Sequence, residues 1–340
     1  MEYNEEGVIK LSQNENPHGA SPLALKAVRE HKYSINRYPE PHSKSLKAEL
    51  ASHLEISPDN IFVSAGSIEA LDILIRNFFG KGGNLIIPKL TFVAFKIIAE
   101  VFGIETKFSK MKDFSIDIES IIENYDEKTK GIIIASPNNP TGTILTEKEL
   151  IRLLDYVSPQ TYVVVDEAYC EYVSDKNYPD TLSLQKQYPN LIILRTFSKI
   201  YGLAGLRVGY AIATKEIIAQ IEHYQPPFTV NRLASIAASA AIKDTQFVKN
   251  SFDQNLKLRS VIDKELRNLG YQIVPSQGNF IFIHFESEER RDFIFEMLKS
   301  QNVIVRKMDY FGDYKAFRLT IPKTENCQYV IDCFAQIKTK

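Results

Sequence analysis

The sequence has few cysteines and lacks the spaced residue pairs that commonly bind metals. Its three cysteines, Cys170, Cys327 and Cys333, cannot all form disulfides with one another. None has the close CxxC spacing that a structural zinc site or a redox centre needs. The six histidines are scattered, without an HExxH or similar pair. We therefore expect reduced, mostly buried thiols, structural histidines and no required metal.

Neither sign of charge is in excess. The 41 Lys and Arg residues nearly balance the 42 Asp and Glu residues, for a net charge of -1. Such a balance lacks the excess of positive charge that is typical of proteins that bind nucleic acid or an acidic membrane. The expected ligand is therefore a small molecule. The first ten residues are polar and acidic, and no later segment is apolar for long enough to span a bilayer. The sequence predicts a cytoplasmic protein.

The length and composition indicate an ordinary globular protein with more than one domain. The chain has 340 residues, of which 44% are hydrophobic and 24% are charged. That length is large for one compact core, so we expect one large domain and one smaller domain. Two domains usually frame a cleft, which is where a small ligand would bind.

Short β-branched runs alternate with helical patterns between Ile61 and Ala213. This alternation predicts parallel strands joined by crossover helices. Between the first two runs, Leu71, Leu74 and Ile75 recur at helical spacing and should face the sheet, as should Phe78. The predicted strands are Ile61 to Ser64, Asn84 to Ile87, Gly131 to Ala135, Tyr162 to Asp166, Leu191 to Thr196 and Val208 to Ala213.

The pattern changes after Pro226 and Pro227. A long helix is predicted from there to about Leu269, followed by strand, helix and strand. That order favours a smaller α+β domain. The predicted fold class is α/β, with a mostly parallel central sheet in a large domain and a smaller α+β domain.

The loops after the predicted strands carry the polar residues of interest, because ligands in such sheets bind beyond the carboxyl ends of the strands. Ala65-Gly66-Ser67 follows the first strand and precedes a helix. Small residues allow close backbone approach, and free amides at a helix start bind phosphate. An ordinary tight turn would explain the same residues.

Two charged residues stand at the ends of apolar strands. Asp166 ends the run from Tyr162, where it would either cap a helix or pair with a cationic ligand atom. Lys199 follows Arg195-Thr196-Phe197-Ser198 and precedes a glycine-rich stretch. An isolated lysine is usually a solvated surface charge. Among apolar strand ends, however, its amine loses hydration and deprotonates more easily, as a Schiff-base nucleophile requires.

The chain resembles the fold-type I aminotransferases, and specifically the histidinol-phosphate aminotransferase family. The likeness runs through nearly the whole length, and its motifs occur in the family's order. They are Leu11 to Pro17, Asn36 to Pro39, Ser136 to Gly142, Asp166 to Tyr169, Arg195 to Lys199, Gly202 to Gly209, Pro275 to Phe280 and Phe317 to Thr320.

The resemblance implies pyridoxal 5'-phosphate as the cofactor and assigns the catalytic residues Lys199, Asp166 and Tyr169. Lys199 would carry the cofactor as a Schiff base and then shuttle the substrate proton. Asp166 would pair with the pyridine nitrogen, which makes the ring an electron sink. Tyr169 and Asn139 would donate to the phenolic oxygen and stabilise its charged form.

The resemblance also implies a phosphate site and a shared active site. Arg207 suits the phosphate because its guanidinium can bind two oxygens at once. Tyr38 resembles a tyrosine that reaches the phosphate from the neighbouring subunit, which implies a homodimer. Phe92 would stack on the ring, where many relatives have tyrosine. The implied cofactor-binding residues are Gly66, Ser67, Ile68, Phe92, Asn139, Asp166, Tyr169, Thr196, Ser198, Lys199, Arg207 and Tyr38.

Two arginines match the family's substrate-binding positions. Arg318 would grip the substrate's carboxylate or equivalent group, and Arg306 would bind the phosphate of histidinol phosphate. The sequence departs from the family in three further places, one at the implied phosphate site and two near these arginines. Ile68 stands where aspartate is common, the stretch from Met308 to Ala316 is unusually aromatic, and Pro322 replaces a common glycine.

The resemblance favours a histidinol-phosphate aminotransferase of histidine biosynthesis. Its substrates would be L-histidinol phosphate and 2-oxoglutarate, and its products imidazole acetol phosphate and glutamate. An aromatic amino acid aminotransferase of the same family stays open because of these departures. A phosphothreonine-type decarboxylase also stays open, because sequence does not fix which substrate bond lies over the ring. A non-catalytic nucleotide-binding module is the alternative from another class.

The predicted domain organisation has three parts. Residues 1–30 form an N-terminal arm that contributes to the small domain and the active site. Residues 31–228 form the large domain, which binds the cofactor. Residues 229–340 form the small C-terminal domain.

Overall fold

The structure is a computed structural model that describes residues 7–80 and 82–338. The helices are α1 (Pro22–His31), α2 (Lys44–Leu54), α3 (Ser67–Leu74), α4 (Val93–Val101), α5 (Ile118–Asn124), α6 (Glu147–Tyr156), α7 (Thr181–Gln187), α8 (Lys215–Tyr224), α9 (Arg232–Ile242), α10 (Thr245–Asn268), α11 (Glu288–Ser300) and α12 (Thr324–Lys338). The strands are β1 (Ile9–Lys10), β2 (Ile61–Ser64), β3 (Asn84–Pro88), β4 (Glu105–Ser109), β5 (Met111–Lys112), β6 (Ser115–Ile116), β7 (Thr129–Ala135), β8 (Tyr162–Asp166), β9 (Leu191–Thr196), β10 (Gly209–Ile212), β11 (Gln272–Val274), β12 (Phe280–His284), β13 (Val303–Ile304), β14 (Arg306–Lys307) and β15 (Ala316–Thr320).

A seven-stranded sheet with the order β2-β10-β9-β8-β7-β3-β4 forms the centre of the described chain. The predicted mostly parallel sheet is confirmed, since β9, β8, β7, β3 and β4 run parallel to one another. The expectation that the run from Val208 to Ala213 is also parallel is wrong. Strand β10 is antiparallel to both β2 and β9, because no crossover helix separates it from β9.

Helices cover both faces of this sheet, and alternate residues of each strand enter different cores. Ile132 and Ile134 of β7 face one hydrophobic cluster, while Ile133 faces the other. This period of two follows from the pleat of the strand, and burial on both faces explains the continuous apolar runs. Helix α3 continues as a π-helix from Ile75 to Phe79, with Ile75 in the second cluster.

The second sheet is antiparallel, with the order β11-β12-β15-β14. The single long helix expected after Pro227 is wrong, because the segment contains two helices, α9 and α10. The break occurs at Asp244, whose carboxylate accepts the Phe247 N–H at the start of α10. The other oxygen of Asp244 accepts a hydrogen bond of 2.6 Å from Ser21. A local polar cap thus ends the apolar periodicity.

The described amino-terminal residues lie against the second sheet and its neighbours. Strand β1 pairs in parallel with β13, and the Leu11 N–H donates to the Ile304 carbonyl at 2.7 Å. The strands of the seven-stranded sheet fall within residues 31–228, and those of the antiparallel sheet within 229–340. The three-part domain division stays a prediction, and its first six residues lie outside the described part. Among the described helices, none combines the length and apolar character needed to cross a membrane.

Candidate active site

A cavity of about 330 Å³ lies at the carboxyl ends of β8 and β9 and is also lined by one residue each of β14 and β15. Polar and charged side chains from distant parts of the sequence converge there. The lining residues are Ser12, Gln13, Ser67, Ile68, Phe92, Val93, Ala135, Pro137, Asn139, Asp166, Ala168, Tyr169, Thr196, Ser198, Lys199, Arg207, Arg306, Phe311 and Arg318.

Lys199 lies in the loop after β9 and is partly buried. Its Nζ donates to the carbonyl oxygens of Gln13 at 3.3 Å and Asn14 at 3.4 Å. The same nitrogen is 5.4 Å from the ring centroid of Tyr169. The amine is therefore held at the cavity by neutral carbonyl groups, and no ion pair with Lys199 occurs within the described residues.

Asp166 ends β8, and its side chain is buried in the cavity floor. Its Oδ1 accepts the Ala168 N–H at 3.1 Å, and no salt bridge to it exists in the described ranges. Burial raises the pKa of this carboxyl to about 6, against the lowering effects of the Ala168 N–H and the Lys199 charge. A cationic ligand atom placed beside Asp166 would favour its charged form.

The neighbouring carboxylate, Glu167, is already neutralised. Its Oε2 accepts from Arg195 Nε at 2.9 Å and from Nη2 at 2.8 Å, and its Oε1 accepts from Thr181 at 2.9 Å. Glu167 is 1% exposed, so this pair is internal and joins β9 to the turn after β8. Sequence reasoning assigned no role to Glu167 or Arg195. The pair leaves Asp166 as the carboxylate available to a ligand.

The backbone at the start of α3 offers free amides to the cavity. Gly66 precedes the helix with a φ of +80°, a conformation that favours glycine. Among the described residues no side chain caps this helix start, so the Ser67 and Ile68 amides are available for an anion. Gly209 of β10 permits this close approach, because a Cβ there would lie 2.5 Å from the Ser67 nitrogen.

Three side chains surround the same helix start. Arg207 Nη1 donates to Ser198 Oγ at 3.2 Å and to the Ala204 carbonyl at 3.0 Å. Thr196 Oγ1 donates to Ser198 Oγ at 3.0 Å. The guanidinium of Arg207 also lies against Gly66, where a Cβ would meet Nη2 at 2.5 Å. Free amides, two hydroxyls and one guanidinium together form a site suited to a phosphate.

Arg318 links the antiparallel sheet to the cavity. Its Nη1 donates to Asn139 Oδ1, and its Nη2 donates to the Ser12 carbonyl at 2.9 Å. Nε is buried without a partner in the described residues. Burial lowers the pKa of the guanidinium to about 10, so it stays charged at neutral pH. Arg318 has no carboxylate partner in the described part of the chain, and a buried cation of this kind is well suited to an anionic substrate group.

Of three further residues expected at the site, one lines the cavity, one borders it and one lies outside it. Phe92 lines the cavity and packs edge-on against Phe95, with ring centroids 5.7 Å apart. Arg306 is exposed on β14, where it is paired in register with Arg318 and borders the cavity. Tyr38 does not line the cavity of this chain; it is 80% exposed and stacks on Phe228 at 4.9 Å.

Several residues at the cavity were not assigned from the sequence. Ser12 and Gln13 come from the amino-terminal motif, and Phe311 comes from the aromatic loop between β14 and β15. The motif and the loop were visible as unusual segments. Their contacts with the site, however, join residues that are far apart along the chain.

Comparisons with known proteins give one consistent family. The model of the family described as aminotransferase class I and II matches residues 6–334. The histidinol-phosphate aminotransferase 2 of Hydrogenovibrio crunogenus is 39% identical over 339 residues, which cover 99% of this chain and 90% of that protein.

Solved structures agree on the fold. The histidinol-phosphate aminotransferase of Clostridium acetobutylicum superposes with a TM-score of 0.89 at 25% identity, covering 98% of this chain and 99% of that one. The Sinorhizobium meliloti histidinol-phosphate aminotransferase, solved in complex with pyridoxal-5'-phosphate, gives a TM-score of 0.91 at 24% identity, covering 98% and 91% of the two chains.

Proposed function

The chain belongs to the aminotransferase class I and II family, and from its similarity to histidinol-phosphate aminotransferases we propose that it has this activity. It is a transaminase that depends on pyridoxal 5'-phosphate. In the proposed reaction, L-histidinol phosphate and 2-oxoglutarate give imidazole acetol phosphate and glutamate, a step of histidine biosynthesis. The observation that carries the proposal is one cavity lined by Lys199, Asp166 and a phosphate-type site.

The residues of the cavity fit the chemical groups of the cofactor. The buried carboxylate of Asp166 has no cationic partner among the described residues, and burial raises its pKa to about 6. The protonated pyridine nitrogen would supply a cation that stabilises the charged form of this carboxylate. The amides of Ser67 and Ile68, with Gly66 beside them, would bind the phosphate, together with Thr196, Ser198 and Arg207. The aldehyde would bind to the amine of Lys199, and Phe92 would pack on the ring.

Bound pyridoxal phosphate supplies an electron sink, which stabilises negative charge at the substrate α-carbon. Asp166 would keep the ring nitrogen protonated through its negative charge. Lys199 would take the proton from the substrate α-carbon and then deliver it to the cofactor carbon at which the amino group is attached. Tyr169 and Asn139 would donate hydrogen bonds to the phenolic oxygen and so lower the pKa at the lysine nitrogen.

Two arginines would orient the substrates. Arg318 is buried and charged, and it would bind the α-carboxylate of the 2-oxo acid acceptor or the matching group of the donor. Arg306 is more exposed at the cavity border, where it would bind the phosphate of the amino donor. The paired register of these residues on β14 and β15 supports a shared binding surface.

We propose that the active enzyme is a homodimer with shared active sites. Tyr33, Ile35 and Tyr38 are 84%, 71% and 80% exposed, and Phe228 beside Tyr38 is 45% exposed. Such a cluster of exposed apolar side chains favours a protein interface. A second copy would cover it, and Tyr38 would then reach the partner's phosphate site.

A cytoplasmic location is also proposed. Cys170, Cys327 and Cys333 are free thiols, as expected in a reducing compartment. Cell fractionation would test this location, since recovery in an oxidising compartment would contradict it.

A spectroscopic experiment tests the enzymatic proposal. Purified protein should be yellow, and borohydride reduction should fix the cofactor to Lys199. Lys199→Ala should lose this linkage. Lys199→Arg should also lose it although the positive charge is kept, so it is the matched control that separates loss of the amine from loss of charge. A colourless wild-type protein that binds no pyridoxal phosphate would contradict the proposal and favour a non-catalytic module.

Single-turnover reactions with three donors assign the substrate. Histidinol phosphate should convert the bound cofactor to its amino form faster than phenylalanine or phosphothreonine does, as followed by the change in absorbance. Faster conversion by phenylalanine would identify an aromatic aminotransferase. Release of carbon dioxide from phosphothreonine would identify a decarboxylase.

A further inference from the structure

Asn14 occupies a fixed position behind the active site. It lies in the amino-terminal motif, is 0% exposed and has a φ of 54°. Asparagine tolerates this left-handed conformation better than most residues do. Its own carbonyl accepts from Lys199 Nζ at 3.4 Å and from Asn279 Nδ2 at 3.1 Å. The backbone of Asn14 is therefore held against the reactive lysine.

The side chain of Asn14 connects Thr320 to Tyr169. Its backbone N–H donates to Thr320 Oγ1 at 3.0 Å, and that hydroxyl donates back to Asn14 Oδ1 at 3.1 Å. The other end of the amide, Nδ2, donates to the phenolic oxygen of Tyr169 at 3.0 Å. All three side chains are buried.

Thr320 decides which end of the Asn14 amide faces Tyr169. If the amide were reversed, Nδ2 would donate to Thr320 Oγ1, which already accepts the Asn14 N–H. The Thr320 proton would then lack an acceptor, because the described residues offer its hydroxyl no other partner. Leaving a buried donor unpaired is costly. The observed orientation is therefore the stable one.

This orientation determines the direction of the Tyr169 proton. The phenolic oxygen accepts from Asn14, so its own hydrogen must point elsewhere. Within the described chain the hydroxyl has no second partner, and Tyr169 lines the cavity. Its ring is held edge-on against Phe280, with centroids 5.0 Å apart.

We propose that Asn14 is a positioning residue that directs the Tyr169 hydroxyl proton into the active-site cavity. The inference rests on the proposed function, in which Tyr169 donates to the phenolic oxygen of the cofactor. By forcing Tyr169 to act as a donor, Asn14 lowers the pKa of the lysine-bound cofactor. Thr320 holds Asn14 in the orientation that makes this possible.

The test measures the pKa of the lysine-bound cofactor by absorbance titration. Tyr169→Phe should raise this pKa by about 1 to 2 units, the worth of one hydrogen bond to a charged group. Asn14→Asp should also raise it, because the new carboxylate accepts the phenolic proton and removes the donor. Asn14→Gly should raise it less than Tyr169→Phe does. Aspartate and glycine both tolerate the positive φ.

A double mutant separates proton direction from added charge. In the Tyr169→Phe background, Asn14→Asp should produce less than half of the shift that it produces alone. Equal shifts in the two backgrounds would overturn the proposal, since Asn14 would then act without Tyr169. No shift in Asn14→Asp alone would overturn it as well.

Thr320 supplies a second pair of variants in case the Asn14 variants fold poorly. Thr320→Val frees the Asn14 amide and should raise the pKa, whereas Thr320→Ser keeps the hydroxyl and should restore the wild-type value. Identical pKa values in the two variants would contradict the proposed role of the hydroxyl. Wild-type protein that shows no cofactor absorbance band would instead refute the proposed function, so the two failures are distinguishable.

Discussion

At the scale of residues, two adjacent carboxylates show how environment assigns a role. Asp166 and Glu167 are both buried, but Glu167 is paired with Arg195 and Asp166 has no cation partner among the described residues. Glu167 is therefore structural, while Asp166 keeps its charge available to a ligand. Residue type alone does not separate them.

The unpaired burial of Asp166 predicts a pH-dependent stability of the cofactor-free protein. Its folded pKa of about 6 lies above the ordinary 3.8, so the folded state holds the proton more tightly. The contribution of Asp166 to the free energy of unfolding is therefore fully present below about pH 4 and is lost as the pH rises through 6. This contribution amounts to about 3 kcal/mol. Asp166→Asn should remove this loss, so it should unfold less readily than wild type at neutral pH.

Urea unfolding of the cofactor-free proteins at several pH values measures this difference. The exposed Asp59→Asn is the matched control and should follow wild type at each pH. A constant difference between wild type and Asp166→Asn across the acidic range would contradict the prediction.

Arg306 should contribute to recognition of a phosphorylated donor. Arg306→Ala should lower kcat/KM for histidinol phosphate, because a charge-assisted hydrogen bond is lost. The loss corresponds to about 1.5 to 3 kcal/mol of transition-state binding energy. Histidinol, which lacks the phosphate, should be affected much less. Steady-state kinetics with the two donors measures the difference, and Lys315→Ala, exposed outside the cavity, is the control. Equal losses for both donors would remove Arg306 from this role.

At the scale of elements, the site depends on a strand and a helix start that lie unusually close. The Ser67 amide can face the cavity because β10 carries Gly209 beside it. The neighbouring loop between β9 and β10 brings Lys199 and Arg207 to the same edge. Backbone proximity, as much as side-chain identity, forms the phosphate-type site.

Gly209→Ala should therefore disturb cofactor binding as well as stability. The added Cβ would lie 2.5 Å from the Ser67 nitrogen and 2.9 Å from the Arg195 oxygen, so the helix start must shift. We expect a loss of about 1 to 3 kcal/mol in unfolding free energy, as for other overpacked sites, and a higher Kd for pyridoxal phosphate. Gly205→Ala is the control, because no atom of the described residues lies within 4 Å of a Cβ at that position, and it should match wild type in both measurements. Unchanged cofactor affinity in Gly209→Ala would contradict the proposed phosphate site.

At the scale of the whole molecule, the cavity depends on two sheets that come from different parts of the chain. The seven-stranded sheet supplies Asp166 and Thr196, whereas the antiparallel sheet supplies Arg306 and Arg318. Tyr38 lies outside this cavity, so the proposed role of Tyr38 requires a second copy.

Mixed dimers test the shared site directly. Subunits carrying Lys199→Ala and subunits carrying Tyr38→Ala should each be impaired alone. After random mixing, half of the dimers contain one intact site, so activity should approach roughly a quarter of wild type. Activity equal to the average of the two separate variants would contradict a shared site, and mixing Lys199→Ala with itself is the control.

Much of the fold could be predicted because its signals are local. Strands β2, β8 and β9 match their predicted limits, since apolar β-branched runs mark buried strands. The predicted direction of strand β10 is wrong, although the short connection from β9 lacks a crossover helix. Strand β4 has no such signal, because it is polar and lies at the sheet edge. The apolar periodicity does not predict the break before α10, because that break depends on the capping carboxylate of Asp244.

The sequence by itself determined which chemical groups stand at the strand ends, including Lys199 and Asp166, because strand limits follow from local patterns. Only the tertiary structure decided that Asn14 contacts Tyr169 and that Arg318 contacts Asn139. These contacts join segments far apart in the chain, and no local pattern encodes their distances. Folding also set the difference between Glu167, which is paired with Arg195, and Asp166, which has no ion-pair partner among the described residues. Burial and contacts between distant charges arise only once the chain is folded.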